Sequence, residues 1–158
     1  MINKNTAQRL KDSWKDCNDA TVGFADSVPE EQWHSKAFKP RFRSFSWEFV
    51  CLTRARLCYL KGLKTGKLLF SSQPDIPEKK SLEEEPRNEI IAMLKKASVD
   101  LLKEIEKVDT PEKVDLIVWL LQHERIHHGK LLLYCVMAGL RLPKSFVETW
   151  GESNFPGY

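Results

Sequence analysis

The stretch from Thr110 to Gly139 constrains this chain most, because it carries a full set of signals for one long helix. Thr110 is suited to cap it, Pro111 takes the first helical position, where a missing amide hydrogen costs nothing, and Glu112 puts an acid in the first turn. The pattern runs to about Met137 or Ala138 and stops at Gly139, with Pro143 beyond. Leu116, Leu120, Leu131 and Tyr134 fall in one line along it, with His123 and His127 at the middle of that line. Such a side needs covering, so the chain must be built largely from helices packed on helices.

Three further helical patterns supply the cover. Between Thr6 and Asp26, Leu10, Trp14, Cys17, Thr21 and Phe24 recur at steps of three or four. A second helix starts near Phe45 or Ser46, capped by Ser44 or Ser46, and runs to about Lys61, closed by Gly62 or by Gly66. A third occupies about Arg87 to Val108, with Ile90, Met93 or Leu94, Ala97, Leu101 and Ile105 inward. Asp109 and Thr110 make a short link, so the last two helices should lie antiparallel. The segment from Pro29 to Trp33 reads as a short helical turn, and Leu68 to Pro86, with Ser71, Ser72, Pro74 and Pro77, as a crossover loop. The expected fold is therefore all-α: a four-helix bundle with a long crossover loop between helices two and three, forming a single domain over residues 1–158. A tail containing Pro143, Phe146, Trp150, Phe155, Pro156 and Tyr158 should pack back on the bundle or on a partner.

A chain of 158 residues supports one respectable core, and 42% hydrophobic with 30% charged residues is ordinary for a soluble globular protein. No apolar run approaches the roughly 20 residues a bilayer requires, and the start of the chain lacks a secretory layout, so no membrane partner and a cytoplasmic location are expected. Cys17, Cys51, Cys58 and Cys135 all sit inside helical patterns and read as reduced thiols. The net charge of +3 comes from 25 basic and 22 acidic residues. Its basic cluster, from Lys36 through Lys39, Arg41, Arg43, Arg54, Arg56, Lys61 and Lys64 to Lys67, reads as a solvated face. No nucleic-acid motif accompanies it, so nucleic acid is not an expected partner.

Histidines four apart on a helix point the same way, so His123 and His127 stack on the inward line while His128 is displaced by roughly a quarter turn. Two imidazoles at that spacing, removed from water, suit a metal ion or a coupled catalytic pair; as core residues they would need hydrogen bonds from neighbours such as Tyr59 or Thr53. The letters also spell His-Glu-x-x-His. A zinc peptidase is set aside because no histidine follows His128 and Glu124 is rotated away from the inward line; a carboxylate ligand such as Glu148 or Glu152 stays open, although both sit in the tail after Pro143. Cys17, Cys51, Cys58 and acids near the helix ends are the available third ligands. Cys51 is favoured, because Ala55 and Cys58 leave room beside it, although it serves equally well as a small buried hydrophobe.

The Glu31-Gln32-Trp33 segment, the Ser46-Trp47-Glu48 helix start, the long crossover and His123-x3-His127-His128-Gly129-Lys130, followed by Tyr134, Gly139 and Leu142-Pro143, together resemble the DinB-like, YfiT-like superfamily over nearly the whole chain. In that pattern a further metal-binding histidine lies in helix two, and its place falls on Cys51; Lys130 stands where glutamine is usual. The resemblance implies a divalent metal, zinc or nickel, on Cys51, His123 and His127, and a low-molecular-weight thiol as cofactor. It implies a small-molecule ligand drawn by basic residues near Arg54, and a homodimer to which Trp150 and Phe155 contribute. The implied function is that of a metal-dependent enzyme resembling thiol-cofactor-dependent S-transferases. The alternative is a metal-free, non-catalytic helical bundle serving as a small-molecule binding or dimeric structural protein.

Overall fold

The computed structural model describes residues 2–38 and 41–151, so Lys39, Pro40, Glu152, Phe155, Pro156 and Tyr158 lie outside the described residues. Six α-helices occur among them: α1 (Lys4–Ser27), α2 (Phe45–Thr65), α3 (Lys79–Glu83), α4 (Arg87–Ile105), α5 (Pro111–Met137) and α6 (Lys144–Trp150), with a 3-10 turn at Glu30–Gln32 after α1. The expectation of a four-helix bundle is thereby overturned. The helical class holds, but α3 forms inside the segment read as a loop, and α6 forms in the tail. A five-residue helix has too few apolar positions for periodicity to register; what holds α3 is one buried side chain, Leu82, set against the core that α2 and α4 share.

Local chemistry explains the boundaries. Asn3 caps α1 by accepting from the amide of Asn5 at 2.9 Å, which starts that helix two residues before Thr6. Ser44, and not Ser46, caps α2, accepting from the Trp47 amide at 3.2 Å. The helix passes Gly62 and ends at Gly66, whose φ of 75° is the left-handed conformation that glycine adopts without a Cβ penalty. Thr110 and Pro111 open α5 as expected. Its end is a paired 6→1 and 5→2 arrangement, with Leu140 N donating to Cys135 O at 2.8 Å and Gly139 N to Val136 O at 3.2 Å, and Gly139 at φ 69°.

α2 packs against α3, α4 and α5, and α1 against α4, α5 and α6. Phe146 and Val147 hold α6 in place, the Phe146 ring lying 4.9 Å from that of Phe24. A Cβ on Gly23 would come within 2.7 Å of Pro143 Cβ, so the absence of a side chain there lets the chain before α6 lie on α1.

The core divides into two apolar clusters that share the same long helices. One gathers Phe24, Trp33, Phe45, Phe49, Tyr134 and Phe146, with the Trp33 and Phe49 rings stacked at 4.9 Å; the other gathers Trp14, Tyr59, Leu101, Ile105, Leu116 and Leu120. Along α5, Glu124, His127 and His128 fall between the two clusters, and the buried polar side chains Thr21 of α1 and Glu48 and Arg56 of α2 bond to them there. Polar groups held between two apolar layers are desolvated, so each must find a partner inside the protein. Among the described residues no helix is long and apolar enough to cross a membrane. The expected homodimer and cytoplasmic location gain no support from the fold.

Candidate metal centre

Two groups of side chains of metal-ligand type form in the layer between the apolar clusters, and the first is Cys51, His123 and His127. One ligand atom from each lies within 4.8 Å of the others. The two imidazoles face each other through their Nε2 atoms, 3.2 Å apart, with ring planes at 70°. Nitrogens bound to one tetrahedral ion at about 2.0–2.1 Å would stand ~3.3 Å apart, so the pair is spaced as two ligands of one ion would be. The hydrogen bonds that would make these ordinary core histidines are not formed by Thr53, whose hydroxyl has no partner.

A fourth member of this neighbourhood was not anticipated. Glu48, on α2 and only 1% exposed, brings Oε2 to 2.5 Å from His127 Nδ1 and accepts from the Tyr134 hydroxyl at Oε1, 3.1 Å away; Lys130 Nζ stands 3.5 Å off. In the sequence Glu48 enters only as part of the Ser46-Trp47-Glu48 helix start, and it is the acid in the first turn of α2. Its position three residues before Cys51, on the same side of the helix, was the available signal.

These contacts set the protonation of the site. Burial raises the Cys51 thiol, but hydrogen bonds from His123 and His127 outweigh it and bring the pKa down to about 5. Burial lowers His127, and the Cys51 and Glu48 anions overcome that and lift it to about 9. Glu48 itself is held below its ordinary value: burial raises it, and the bond to His127 more than compensates. In the absence of metal the site is thus a thiolate and imidazolium pair near neutral pH.

The other cysteines differ. Burial pushes Cys17 and Cys135 up to about 12 and raises Cys58 as well. In metal-free protein, iodoacetamide is expected to modify Cys51 first, at a rate nearly flat from about pH 6 to 8, where an ordinary thiol accelerates roughly 100-fold. Peptide mapping of the alkylated protein checks this; a steep pH dependence, or first modification elsewhere, would contradict the assigned thiolate.

A pocket of about 670 Å³ opens beside this group, lined by Cys51, Arg54, Ala55, Phe70, Glu78, Lys79, Lys80 and His123. Arg54 is buried there, but much of its guanidinium is committed to the crossover: Nη1 donates to Phe70 O at 3.1 Å and Nη2 to Ser71 O at 3.2 Å, and Nη2 is ion-paired with Glu78 at 3.5 Å. Its Nε has no partner.

The second group is Cys17, Glu124 and His128. Glu124 was expected to point away from the interior, yet it is fully buried, on a part of α5 that faces α1 and α2. Arg56 forks onto it with contacts of 2.7 and 2.8 Å, while Nη1 reaches Asn18 at 2.9 Å and Leu94 O at 3.1 Å. The Thr21 hydroxyl bridges Glu124 at 2.5 Å and His128 Nε2 at 2.6 Å. Arg125 can only donate, so its 3.3 Å contact makes His128 Nδ1 an acceptor and leaves the ring proton on Nε2, facing Thr21. Burial, the largest influence, drops His128 to about 4, consistent with a neutral ring. These ligand-type atoms are close enough for an ion, but Glu124 and His128 are already bonded and a permanent guanidinium adjoins them, which disfavours a cation there relative to the first group.

Among characterised proteins, no family model matches the chain and no curated protein matches it. The chain is an all-helical protein with two clusters of Cys, His and Glu side chains of the kind that can chelate a divalent metal.

Proposed function

We propose that this protein is a metal-dependent enzyme of the DinB-like, YfiT-like kind, which holds zinc or nickel on Cys51, His123 and His127 and acts on a small anionic thiol. The observation that carries the reading is the 3.2 Å approach of two Nε2 atoms beside a thiolate-forming cysteine. One thiolate and two imidazoles suit borderline-soft ions, and hard cations such as magnesium or calcium prefer all-oxygen sets. Three protein ligands leave one position of a tetrahedral ion for an exchangeable partner.

When bound, such an ion supplies Lewis acidity that lowers the pKa of a thiol reaching its open position. The residues of this chain do the rest. Cys51 and His123 line both the ligand group and the pocket, so a molecule entering the pocket meets that group directly. Arg54, Lys79 and Lys80 outnumber Glu78 there, which favours a ligand with carboxylate or phosphate groups. Ala55 and Phe70 give it an apolar wall. The His-Glu-x-x-His peptidase chemistry has no place in the reading, because Glu124 is locked onto Arg56 in the other cluster and is not available as a base.

Cobalt titration of metal-free protein, purified without an affinity-metal column, tests this. A charge-transfer band from the Cys51 thiolate is expected on binding, and the visible bands should shift when mercaptosuccinate is added as a probe thiol. Absence of stable cobalt, zinc or nickel binding would remove the basis of the reading. A cobalt spectrum indifferent to the thiol would remove the cofactor part alone.

A further inference from the structure

His123 and His127 are supported unequally. His123 Nδ1 is buried without a partner, whereas His127 Nδ1 meets Glu48 Oε2 at 2.5 Å. Glu48 and His123 therefore reach the His127 ring from opposite ends, the carboxylate at Nδ1 and the second imidazole at Nε2, with Cys51 in the same ligand group. A carboxylate accepts and cannot donate, so the nitrogen it touches must carry a proton. In a neutral ring the lone pair is then left on Nε2, the atom that points at His123.

Glu48 is itself fixed from the far side. Its Oε1 accepts from the Tyr134 hydroxyl, and that ring is held edge-on by Phe45 with centroids 5.4 Å apart. A buried carboxylate contributes little to an apolar core and is costly without partners. Its retention at 1% exposure, directed at one nitrogen of one imidazole, has a use if that imidazole must present its other nitrogen in a fixed direction.

We infer that Glu48 is the positioning residue of the centre: it holds the His127 proton on Nδ1 and so keeps the Nε2 lone pair aimed at the space shared with His123 and Cys51. What the lone pair is for rests on the metal reading above; the orientation of the ring does not. Outer carboxylates of this kind fix ring orientation and raise ligand basicity, and their loss typically weakens metal binding by about 10–100-fold.

Two measurements on the full chain test it. In chelator competition, zinc affinity should fall in the order wild type, Glu48→Gln, Glu48→Leu, by about 10–100-fold in all, because glutamine keeps an acceptor and loses only the charge. Tyr134→Phe, which removes the other bond to the carboxylate, should change affinity by less than about threefold. Equal zinc affinity in wild type and both Glu48 variants would overturn the proposal. Independently, ring nitrogen shifts of metal-free wild type, followed in alkaline solution until the ring is neutral, should place the remaining proton on Nδ1, the nitrogen that Glu48 touches. A proton on Nε2 would overturn it whether or not zinc binds. Failure of wild type to bind zinc would sink the metal reading, and the nitrogen shifts would still decide the role of Glu48.

Discussion

Replacing His127 with alanine is expected to weaken zinc binding by about 100-fold or more. A four-ligand zinc site is worth roughly 10–16 kcal/mol near neutral pH, or about 3 kcal/mol per ligand, and each 1.4 kcal/mol is tenfold. The variant also strands Glu48, which keeps only Tyr134 and the more distant Lys130 as partners, so the metal-free protein should lose stability as well. His123→Ala separates the two effects. His123 has no partner at Nδ1 to strand, so its removal should lower zinc affinity with a smaller loss of metal-free stability. Chelator competition and denaturant midpoints on both variants give the comparison. Unchanged zinc affinity in His127→Ala would show that this ring is not a ligand.

The second large effect belongs to the other cluster. Glu124→Ala should destabilise the protein by about 3–5 kcal/mol, the usual cost of removing one partner from a buried ion pair. Arg56 would remain fully buried over the Trp14 ring at 4.9 Å, with only Asn18 and the Leu94 carbonyl as acceptors. For a chain of this size that corresponds to a melting temperature lower by roughly 6–20 °C. Arg56→Met combined with Glu124→Leu should recover much of the loss, since an apolar pair leaves no charge unpaired. The sign with pH follows from Glu124, whose folded pKa is held below its ordinary value. Burial opposes that lowering, and Arg56 overcomes it. The contribution of the pair is therefore present above the ordinary carboxylate value and is lost as pH falls through the depressed one. A wild type and Glu124→Ala that unfold at the same temperature at neutral pH would refute the assignment.

Much of the helix plan was legible because the signals that fix it are local. Thr110 and Pro111 opened α5, Gly139 closed it, and Ser44 capped α2, each through hydrogen bonds within one turn of chain. The same locality hid α3 and α6. Leu82, Phe146 and Val147 gain their helices from burial against distant residues, which a short window cannot register. Around the candidate centre, His123 and His127 share a face through helical geometry alone, and Cys51 was singled out from its place in its own helix. Glu48 was passed over and Glu124 misjudged for a common reason: both are carboxylates whose burial depends on partners 79 and 68 residues away.

The amino-acid order by itself determined that the chain is helical, where most of its long helices begin and end, and that two imidazoles project together from α5. Those outcomes depend on backbone hydrogen bonds and on a repeat of 3.6 residues, which act over a few positions. Only the tertiary structure decided that Cys51 and Glu48 would flank one of those imidazoles, and that Arg56 would take Glu124 away from it. The rotation of each helix about its own axis is set by how two apolar clusters pack, and a polar group caught between them must bond to whatever that rotation places in reach.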